Sequence, residues 1–508
     1  MNRFRNKMGV VIFLFWGFVS GLQADFTTPG TGVCWTLDSL VLYSNGAVTG
    51  GGHTFHIQQS VVVNSGDTLH VLPGDSLLFA GTSGSLKLKV EGTLLAVGTQ
   101  SDSIYFTSQN QFYGDYAGIE FRSSATTSRM EFCRVEFAER AVRAIDSHPV
   151  IRHSLFRDNG DAAIDLTSSQ ALIESNRFIH NRRYTVKMTL SSSPTIRGNY
   201  FAENNFENQS PYVIITVGLQ GDNSPIIEGN TIMGGYDKSG GIVIWGNSQA
   251  IIRNNHIENC AYGILCYQAG ANPLIDHNTL LNNSINPDTV YFGFGIACNG
   301  SNHPIIRRNT IQGHFYGVAI VNNAQPVLGD LSNADTTDDG GNRFVGNGIG
   351  SRKYELYNNN PLPIMAEGNW WGTDDPDSIE ARIVHHPDHS AYGLVDYQPF
   401  LTGDPLSLAR NGISIPTTLW LAPPYPNPFN SRITFAFRLT RALPLTIRIF
   451  DVHGRIVRTL LQQRLSAGTH QLKWNARDDQ NREVSSGVYF VHFFSPYTNR
   501  IQKIVLLK

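Results

Sequence analysis

The sequence lacks an excess of either charge. Its 508 residues include 39 Lys and Arg against 41 Asp and Glu, which gives a formal net charge of −2. Proteins that bind nucleic acids or anionic membranes do so through basic patches, and this balance favours neither partner. Charged residues are also sparse, at 16%, whereas glycine is abundant, with 48 residues. Such a composition is typical of a β protein with many turns.

Cysteine is scarce and scattered. The five cysteines are Cys34, Cys133, Cys260, Cys266 and Cys298. Their odd number argues against a disulfide framework. No CxxC pair or Cys/His cluster has the spacing of a zinc site. The sequence also has no Gly-x-Ser-x-Gly elbow, phosphate-binding loop or His-Glu-x-x-His motif, so the reactions that depend on these motifs are not indicated.

Long apolar runs are absent apart from one near the start. Residues 8–19 form an apolar run that follows three basic residues and leads into small residues ending at Ala24. A basic start, an apolar core of about a dozen residues and a small-residue end are typical of a secretory signal. The run is too short to span a membrane in the mature protein. We therefore predict a signal peptide over residues 1–24 and a mature chain without a transmembrane helix.

One phrase recurs between His148 and Gln312. It consists of proline, two mostly apolar residues, a charged residue, any residue and asparagine. Counted from the proline, or from the alanine that replaces it, the copies begin at positions 149, 171, 194, 225, 250, 273 and 304, which are 22, 23, 31, 25, 23 and 31 residues apart. Self-similarity at this period indicates a solenoid whose coils contact only their neighbours. We expect three short strands in each coil, stacked into parallel sheets.

Two positions of the phrase predict how the coils stack. The asparagines follow a strand at a turn, so we expect their amides to form a hydrogen-bonded ladder rather than a ligand site. This column comprises Ser154, Asn176, Asn199, Asn230, Asn255, Asn278 and Asn309. The charged position alternates in sign, which predicts exposed ion pairs between neighbouring coils rather than catalytic acids and bases. This second column comprises Arg152, Glu174, Arg197, Glu228, Arg253, Asp276 and Arg307.

The two longest coils contain insertions at residues 204–212 and 282–294. Loops at one corner of a solenoid can build a binding face, and aromatic rings on such loops can stack on sugars. The alternative is that these rings pack against the coil beneath them. The candidate ligand-binding residues on the two insertions are Phe206, Tyr212, Tyr291, Phe292 and Phe294.

An acidic loop at residues 329–340 is the only candidate metal site. Its four aspartates offer the oxygen ligands that Ca²⁺ prefers, although their spacing does not match an EF-hand loop. A solvated turn is the alternative. The candidate ligands are Asp330, Asp335, Asp338 and Asp339. The sequence indicates no other cofactor.

Pro73-Gly74-Asp75 is followed by Val90-Glu91-Gly92-Thr93-Leu94 ahead of the repeats. These motifs are similar to the opening coils of right-handed parallel β-helix proteins of the pectin-lyase-like superfamily. The block from Asn369-Trp370-Trp371-Gly372-Thr373 to Leu401 resembles the terminal cap of many bacterial secreted β-helices. A cap is needed because an open last coil is prone to aggregate. The resemblance implies a capped β-helix over residues 27–401, and we predict a short helix at 377–383.

The same resemblance implies two enzyme classes to consider, polysaccharide lyases and glycoside hydrolases. Ile275-Asp276-His277-Asn278 looks like the Ile-Asp-His element of pectate lyases, in which an aspartate helps to hold calcium. Sister coils carry Ile-Arg-Arg-Asn and Ile-Glu-Gly-Asn at these positions, so the repeat explains the likeness. The Arg-x-Pro-x-x-Arg element of that family is missing, as are the Gly-His-Gly and Arg-Ile-Lys signatures of polygalacturonases. The sequence therefore assigns no catalytic residue.

The last part of the chain, beyond a polar linker at 402–420, has short alternating strands that predict an immunoglobulin-like β-sandwich over 421–508. Its distinctive residues are Tyr425, Pro426, Asn427, Pro428, Phe429, Asn430, Gly487, Tyr489, Lys503 and Lys508. Through these residues the segment closely resembles the C-terminal sorting domain of type IX secretion substrates. The resemblance implies the type IX machinery as a partner, and a secreted or outer-surface location reached through the periplasm.

Two functions are consistent with these features. The first, which we favour, is a non-catalytic adhesive or glycan-binding scaffold on the cell surface. The alternative is a polysaccharide lyase or glycoside hydrolase with a diverged site on the β-helix. Glycoside cleavage needs paired carboxylates about 5 to 9.5 Å apart, and a sequence does not contain that distance.

Overall fold

The computed structural model describes residues 25–80, 84–123, 128–209, 212–218, 220–405, 419–421, 424–439, 442–452, 454–495 and 498–508. The predicted signal peptide and most of the predicted linker lie outside these residues. The chain divides into two compact units, and the boundary falls after Pro405.

The first unit contains three long sheets, and each regular coil contributes one strand to each of them in the order B, C, A. Sheet A comprises Phe26–Thr27, Val61–Val63, Lys87–Val90, Gly118–Arg122, Arg140–Ile145, Ala162–Thr167, Tyr184–Thr189, Val213–Val217, Gly240–Trp245, Ile264–Tyr267, Phe294–Asn299, Tyr316–Val321, Leu356–Asn359 and Ile383–Val384. Sheet B comprises Cys34–Thr36, Thr68–Val71, Thr93–Val97, Arg129–Glu131, Val150–Arg152, Leu172–Glu174, Thr195–Arg197, Ile226–Glu228, Ile251–Arg253, Leu274–Asp276 and Ile305–Arg307. Sheet C comprises Val48–Gly51, Thr54–Ile57, Ser76–Phe79, Ile104–Ser108, Cys133–Glu136, Leu155–Arg157, Arg177–Ile179, Tyr200–Ala202, Thr231–Met233, His256–Glu258, Thr279–Leu281, Thr310–Gln312 and Arg343–Val345.

Neighbouring coils pair in parallel and in register, apart from an antiparallel hairpin at the start of sheet C. The isoleucine of the repeated phrase is fully buried, as at Ile173 and Ile196. Cys266 and Cys298 also point inward, because both are fully buried and directly paired in register. Each coil adds one strand to each of three parallel sheets and buries its inward side chains against the coils on both sides. The predicted all-β parallel solenoid is therefore confirmed.

Asparagine ladders line the turns between the sheets. The backbone N–H and side-chain amide of Asn199 both donate to the side-chain oxygen of Asn230, at 3.0 Å each, and Asn230 donates in the same way to Asn255. The predicted ladder is confirmed, and it continues beyond the repeat to Asn342 and Asn369. The ladder satisfies backbone groups that would otherwise be buried without partners.

A second ladder runs along the turn between sheets C and A, and the sequence reasoning missed it. Its first stretch passes from Asn159 through Asn181 to Asn204. Its second stretch contains Asn283, followed by His314, which replaces asparagine in the column. Each member lies five residues after a member of the first ladder, so the spacing is regular, but Cys260 and His314 stand where the other members are asparagines and hide the column.

Both ends of the β-helix are capped. A helix at Leu37–Tyr43, which the sequence analysis did not predict, begins at a capping box formed by Thr36 and Ser39. A second helix covers Pro376–Glu380, with Asp375 as its N-cap. It is shorter than the predicted 377–383, because the chain turns into the strand Ile383–Val384, which extends sheet A.

The remaining small elements belong to the C-terminal end of the β-helix and to the second unit. The strands Gly348–Ile349 and Arg352–Lys353 form a hairpin, and Ile364–Met365 pairs with Val395–Asp396. The second unit has two antiparallel sheets. One contains Leu419–Leu421, Ile433–Leu439 and Gly468–Trp474, and the other contains Ile456–Leu465, Leu443–Phe450, Gly487–Ser495 and Thr498–Leu506. This arrangement is the predicted β-sandwich.

None of the helices among the described residues is long and apolar enough to cross a membrane.

Candidate functional site

The charged column of the repeated phrase lies on the outer face of sheet B. Its ion pairs join Glu174 to Arg197 at 2.7 Å and Glu228 to Arg253 at 2.6 Å. Asp276 is held by Arg307 at 3.3 Å and also by Arg308 at 2.9 Å. Burial acts to raise the pKa of the Asp276 carboxyl, but the hydrogen bond from Arg308 and the neighbouring positive charges outweigh it, so its pKa is lowered. The predicted pairing is confirmed for these three pairs of neighbouring coils, whereas Arg152 pairs with Glu131 of the preceding coil at 3.0 Å. The three carboxylates are engaged rather than available for chemistry.

The outer face of sheet A changes character along the β-helix. One outward column, in register from coil to coil, passes through Lys89, Glu120, Arg143, Asp165, Lys187, Thr216, Val243, Leu265, Ala297, Ala319 and Tyr357. Its first five members are charged, and from Val243 onward they are apolar or aromatic. The two halves therefore offer different surfaces on one continuous sheet.

The apolar half contains a cleft of about 470 Å³, which we call the aromatic cleft. Ala297 and Ala319 form its floor, and their small side chains leave room between the rings on either side. Phe294 and Tyr316 stack with ring centroids 5.5 Å apart, and Tyr316 lies 5.3 Å from Tyr357. The cleft is thus a row of rings above a shallow floor.

The far edge of the aromatic cleft is more polar. Tyr267, Asn299, Val321 and Asn359 follow one another in register two residues beyond the floor column. Asn322 donates a hydrogen bond of 3.0 Å to the side-chain oxygen of Asn299, which orients that amide. Hydroxyl and amide groups along this edge can exchange hydrogen bonds with a bound molecule.

Three loops that are hydrogen-bonded to one another form the wall beside this outer face. The backbone N–H of Lys238 donates to the Asn208 side chain at 3.0 Å, and the Asn286 amide donates to the Asp237 carbonyl at 2.8 Å. The second insertion thereby brings Tyr291 to the cleft, where its side chain is 73% exposed. A residue this exposed on a supported loop is available to a ligand.

The five predicted ligand-binding residues separate in the structure. Tyr291 and Phe294 line the aromatic cleft, whereas Phe292 does not. Phe292 and Phe294 both pack against a small apolar cluster that contains Tyr262. Phe206 stacks on a histidine, and Tyr212 lies against Tyr184 and Arg183; these residues belong to the first insertion or pack against it.

Sequence reasoning missed the other rings of the cleft. Tyr267, Tyr316 and Tyr357 lie on sheet A strands and not on insertions. These strands carry no motif that separates them from the neighbouring strands, and Tyr316–Val321 shows no alternation of buried and exposed residues, so no signal in the sequence points to the rings.

The charged half of sheet A forms a second cluster. Lys187 lies 2.8 Å from Asp161, and Arg140 lies 2.9 Å from Asp161 and 3.3 Å from Asp165. Burial acts to raise the pKa of the Asp161 carboxyl, but the hydrogen bonds and charges of Lys187 and Arg140 outweigh it and hold that pKa below its ordinary value. Glu120 has a lowered pKa because Arg122, Lys87 and Arg143 outweigh its burial in the same way. These acids therefore remain ionised at neutral pH.

Carboxylates of the acidic loop accept hydrogen bonds from other residues of the same loop. Asp330 accepts hydrogen bonds from the backbone N–H and hydroxyl of Ser332, and Asp335 accepts one from the backbone N–H of Thr337. Asp338 and Asp339, near the end of the loop, are half-buried. Among the described residues, no three His, Cys, Asp or Glu side chains are grouped so that they could hold a metal ion. Calcium binding at this loop stays a prediction.

The residues of the sorting-domain resemblance hold the last strand of the sandwich. The Asn427 amide donates to the Lys503 carbonyl at 3.0 Å, and its oxygen accepts the N–H of Val505 at 2.8 Å. Phe429 is buried, whereas Tyr425, Pro426, Pro428 and Asn430 are exposed around it.

The end of the chain is also held in place. The Tyr489 hydroxyl donates to the Ser485 carbonyl at 2.7 Å, next to Gly487. The terminal Lys508 forms an ion pair of 3.0 Å with Glu483. Together with the bonds of Asn427 to Lys503 and Val505, these contacts join the start of this unit to its last strand.

Two family models match the chain. The model of the right-handed β-helix region matches residues 95–213 and 215–330, and that of the secretion system C-terminal sorting domain matches residues 424–507. No curated protein matches significantly.

Several solved structures are similar to parts of the chain. A point mutant of the periplasmic alginate epimerase AlgG is 14% identical over 73% of this chain and 81% of its own, with a TM-score of 0.44. The tailspike protein 2 of bacteriophage CBA120 is 9% identical over 88% of this chain and 72% of its own, with a TM-score of 0.30. PorZ, described as a surface component of the type IX secretion system of Porphyromonas gingivalis, is 23% identical over 21% of this chain, with a TM-score of 0.14, and the match spans only 13% of PorZ.

Proposed function

The chain is a right-handed β-helix protein with a C-terminal sorting domain of the type IX secretion system, and on this premise we propose that it is a non-catalytic, glycan-binding scaffold. The sorting domain directs export by the type IX system to the cell surface or the medium. A protein delivered there meets the polysaccharides that surround the cell. Its rigid stack of coils suits an adhesive role.

The aromatic cleft is the observation that carries this proposal. Phe294, Tyr316 and Tyr357 form a continuous row of rings, and Tyr291 stands exposed beside it. Sugars present apolar C–H faces together with hydroxyl groups. The aromatic rings of the cleft match the apolar faces, and the hydrogen-bonding groups beside the rings match the hydroxyls. The wall of linked loops supports this surface, so little ordering is required when a ligand binds.

The paired acids of the charged half support a non-catalytic role. A general acid works best when its pKa lies near the operating pH, which requires an upward shift for a carboxyl group. The pKa values of Glu120 and Asp161 are shifted downward instead. These residues are suited to holding neighbouring coils together.

A glycan array tests the proposal with the exported, full-length protein. We expect Tyr316→Ala to lose binding, because it removes the central ring of the row. Tyr200→Ala is the matched control, since Tyr200 is an exposed ring on sheet C. If the wild-type protein binds no glycan, or if both variants bind equally well, the proposal fails.

One observation favours a second function, polysaccharide cleavage. Asp161, Asp165 and Lys187 lie together on the outer face of sheet A, and paired carboxylates are the groups that glycosidases use. Incubation with acidic and neutral polysaccharides, followed by assays for new reducing ends or unsaturated products, tests this alternative. Product formation that Asp165→Asn abolishes would establish cleavage and replace the scaffold role.

Deletion tests the export route. A chain without residues 421–508 is expected to accumulate in the periplasm, where fractionation and immunodetection would find it. Normal surface display of the truncated chain would contradict the role of the sorting domain.

A further inference from the structure

The aromatic cleft carries no charge of its own. Each described side chain that lines it, from Tyr262 through Tyr291 to Asn359, is apolar, aromatic, hydroxyl-bearing or an amide. This is unusual beside the other half of the same sheet, where five successive members of the outward column are charged. The two halves of the sheet can therefore recognise ligands of different chemistry.

Two tyrosines of the cleft, Tyr316 and Tyr357, also stay neutral. Burial, together with the nearby Tyr354 hydroxyl, raises the pKa of Tyr316. Burial and a hydrogen bond with Tyr392 raise the pKa of Tyr357 to about 12. Deprotonation therefore creates no charge on these two rings at any physiological pH.

The charged half offers no open cation to the cleft. On the outward column, Lys187 is separated from the floor residue Ala297 by Thr216, Val243 and Leu265. At about 4.8 Å between strands, these four steps place the two residues about 19 Å apart. Lys187 is moreover already paired with Asp161 at 2.8 Å. An anion in the cleft would lie beyond its direct reach.

One cation does lie near the cleft. The guanidinium carbon of Arg352 is 5.1 Å from the ring centre of Tyr354, in a cation–π contact. Arg352 belongs to the hairpin strand Arg352–Lys353 and does not line the cleft. An experiment must therefore distinguish recognition of a ligand by Arg352 from recognition by the cleft.

A carboxylate on a ligand would be costly in such a site. Moving an ionised group out of water requires a charged partner or several hydrogen-bond donors to offset the lost hydration. The cleft supplies no charged partner, and its hydrogen-bond donors are the neutral amide and hydroxyl groups along one edge. An uncharged pyranose loses far less, because its hydroxyls can face Asn299 and Asn359 while its apolar face covers Tyr316.

We propose that the aromatic cleft selects an uncharged glycan segment and discriminates against uronate-containing polysaccharides. This inference rests on the proposed glycan-binding function. The floor and rings from Leu265 to Tyr357 span three strand spacings, about 14 Å, which suits a short stretch of a glycan chain.

Paired probes test this selectivity. Isothermal titration of the full-length exported protein would compare hexamers of mannose with hexamers of mannuronate, and hexamers of galactose with hexamers of galacturonate. We expect the neutral member of at least one pair to bind at least about tenfold more tightly than its acidic counterpart. We also expect this affinity to change less than about twofold between roughly 50 and 500 mM salt, because no ion pair is available for screening.

Floor variants sharpen the test. Ala319→Lys introduces a cation beneath the rings, and Ala319→Met has a similar length without the charge. We expect both to weaken binding of the neutral hexamer, and only Ala319→Lys to improve binding of the acidic one relative to Ala319→Met. Equal responses of the two variants to the acidic hexamer would contradict the argument from desolvation.

The outcomes separate this inference from the function on which it rests. Tighter binding of an acidic hexamer that is lost in Tyr316→Ala would overturn neutral selectivity but keep the glycan-binding function. The same preference lost in Arg352→Gln would also overturn it and assign recognition to the hairpin. If no glycan binds in the probe pairs or on the array, the proposed function itself fails.

Discussion

The interior and the outer face of the β-helix follow different rules, although the same coils build both. Inside, a position keeps its residue type from coil to coil, as in the isoleucine column and the asparagine ladder that contains Asn230. Outside, the column on sheet A changes from alternating charges to Ala297, Ala319 and Tyr357. A buried position must match the coils on both sides, whereas an outward position is free to carry function.

The largest expected effect comes from removing one interior amide. Asn230→Ala removes the acceptor of the Asn199 backbone N–H and of one Asn199 side-chain N–H, while the Asn199 amide keeps its bond to the Ile173 carbonyl. It also removes the N–H groups donated to the Ile196 carbonyl and to the Asn255 side-chain oxygen. Each buried unsatisfied group costs about 1–3 kcal/mol, so we expect a loss of about 4 kcal/mol in the free energy of unfolding. Urea unfolding measures it. Asn333→Ala, in an exposed loop, is the control, with an expected change below about 0.5 kcal/mol. Similar losses in both would remove the distinction between interior and surface.

The histidine of the second ladder makes interior stability sensitive to acid. Burial lowers the pKa of His314 to about 4, and the neutral imidazole accepts the N–H of Asn283 while it donates to the Leu280 carbonyl. The folded pKa lies below the unfolded value of about 6.5, so the stabilising contribution is complete above about pH 6.5 and is lost as the pH falls towards 4. The loss amounts to at most about 3 kcal/mol.

His314→Asn tests this dependence, because asparagine supplies the same donor and acceptor without titrating. We expect the variant to lose less stability than the wild-type protein between about pH 7 and pH 4. Glu355 acts in the opposite direction: burial raises its pKa to about 6, so its contribution is lost as the pH rises through 6. Both proteins contain Glu355, so their difference isolates His314. Identical acid sensitivity would contradict the assignment.

On the outer face, changes should affect binding more than stability. Tyr316→Ala is expected to weaken glycan binding at least about tenfold, which corresponds to about 1.4 kcal/mol. Its free energy of unfolding should change by less than about 1 kcal/mol, because the ring is only partly buried. Tyr316→Leu retains apolar bulk without the ring and should bind as weakly as the alanine variant. Full affinity in the leucine variant would show that the cleft needs bulk rather than aromatic stacking.

The smallest effect is expected at the outer ion pairs. Arg253→Gln breaks the contact with Glu228, in which the arginine side chain is 46% exposed. Exposed pairs contribute about 0–1 kcal/mol, and salt screens them. We expect less than about 0.5 kcal/mol in a urea titration at about 0.15 M salt, and less still at higher salt. A loss comparable to that of Asn230→Ala would mean that the charged column, and not the amide ladder, sets the stability of the stack.

Prediction from the sequence succeeded where spacing is regular. The isoleucine, asparagine and charged columns recur within the phrase, so their stacking follows from its period. The second ladder has the same regular spacing but escaped because Cys260 and His314 interrupt the row of asparagines. The insertions drew attention to Tyr291 and Phe294, but Tyr316 and Tyr357 lie on strands that the sequence does not distinguish from their neighbours.

The sequence by itself determined the solenoid, its in-register columns and the sorting domain, because short-period repetition and terminal motifs are local properties of the chain. Only the tertiary structure decided which outward residues meet. Phe294, Tyr316 and Tyr357 are 22 and 41 residues apart in sequence, yet the stacking of sheet A places their rings within 5.5 Å of one another in succession. Such a site depends on how each coil's length sets the register of the next strand, and that register follows from packing the whole stack.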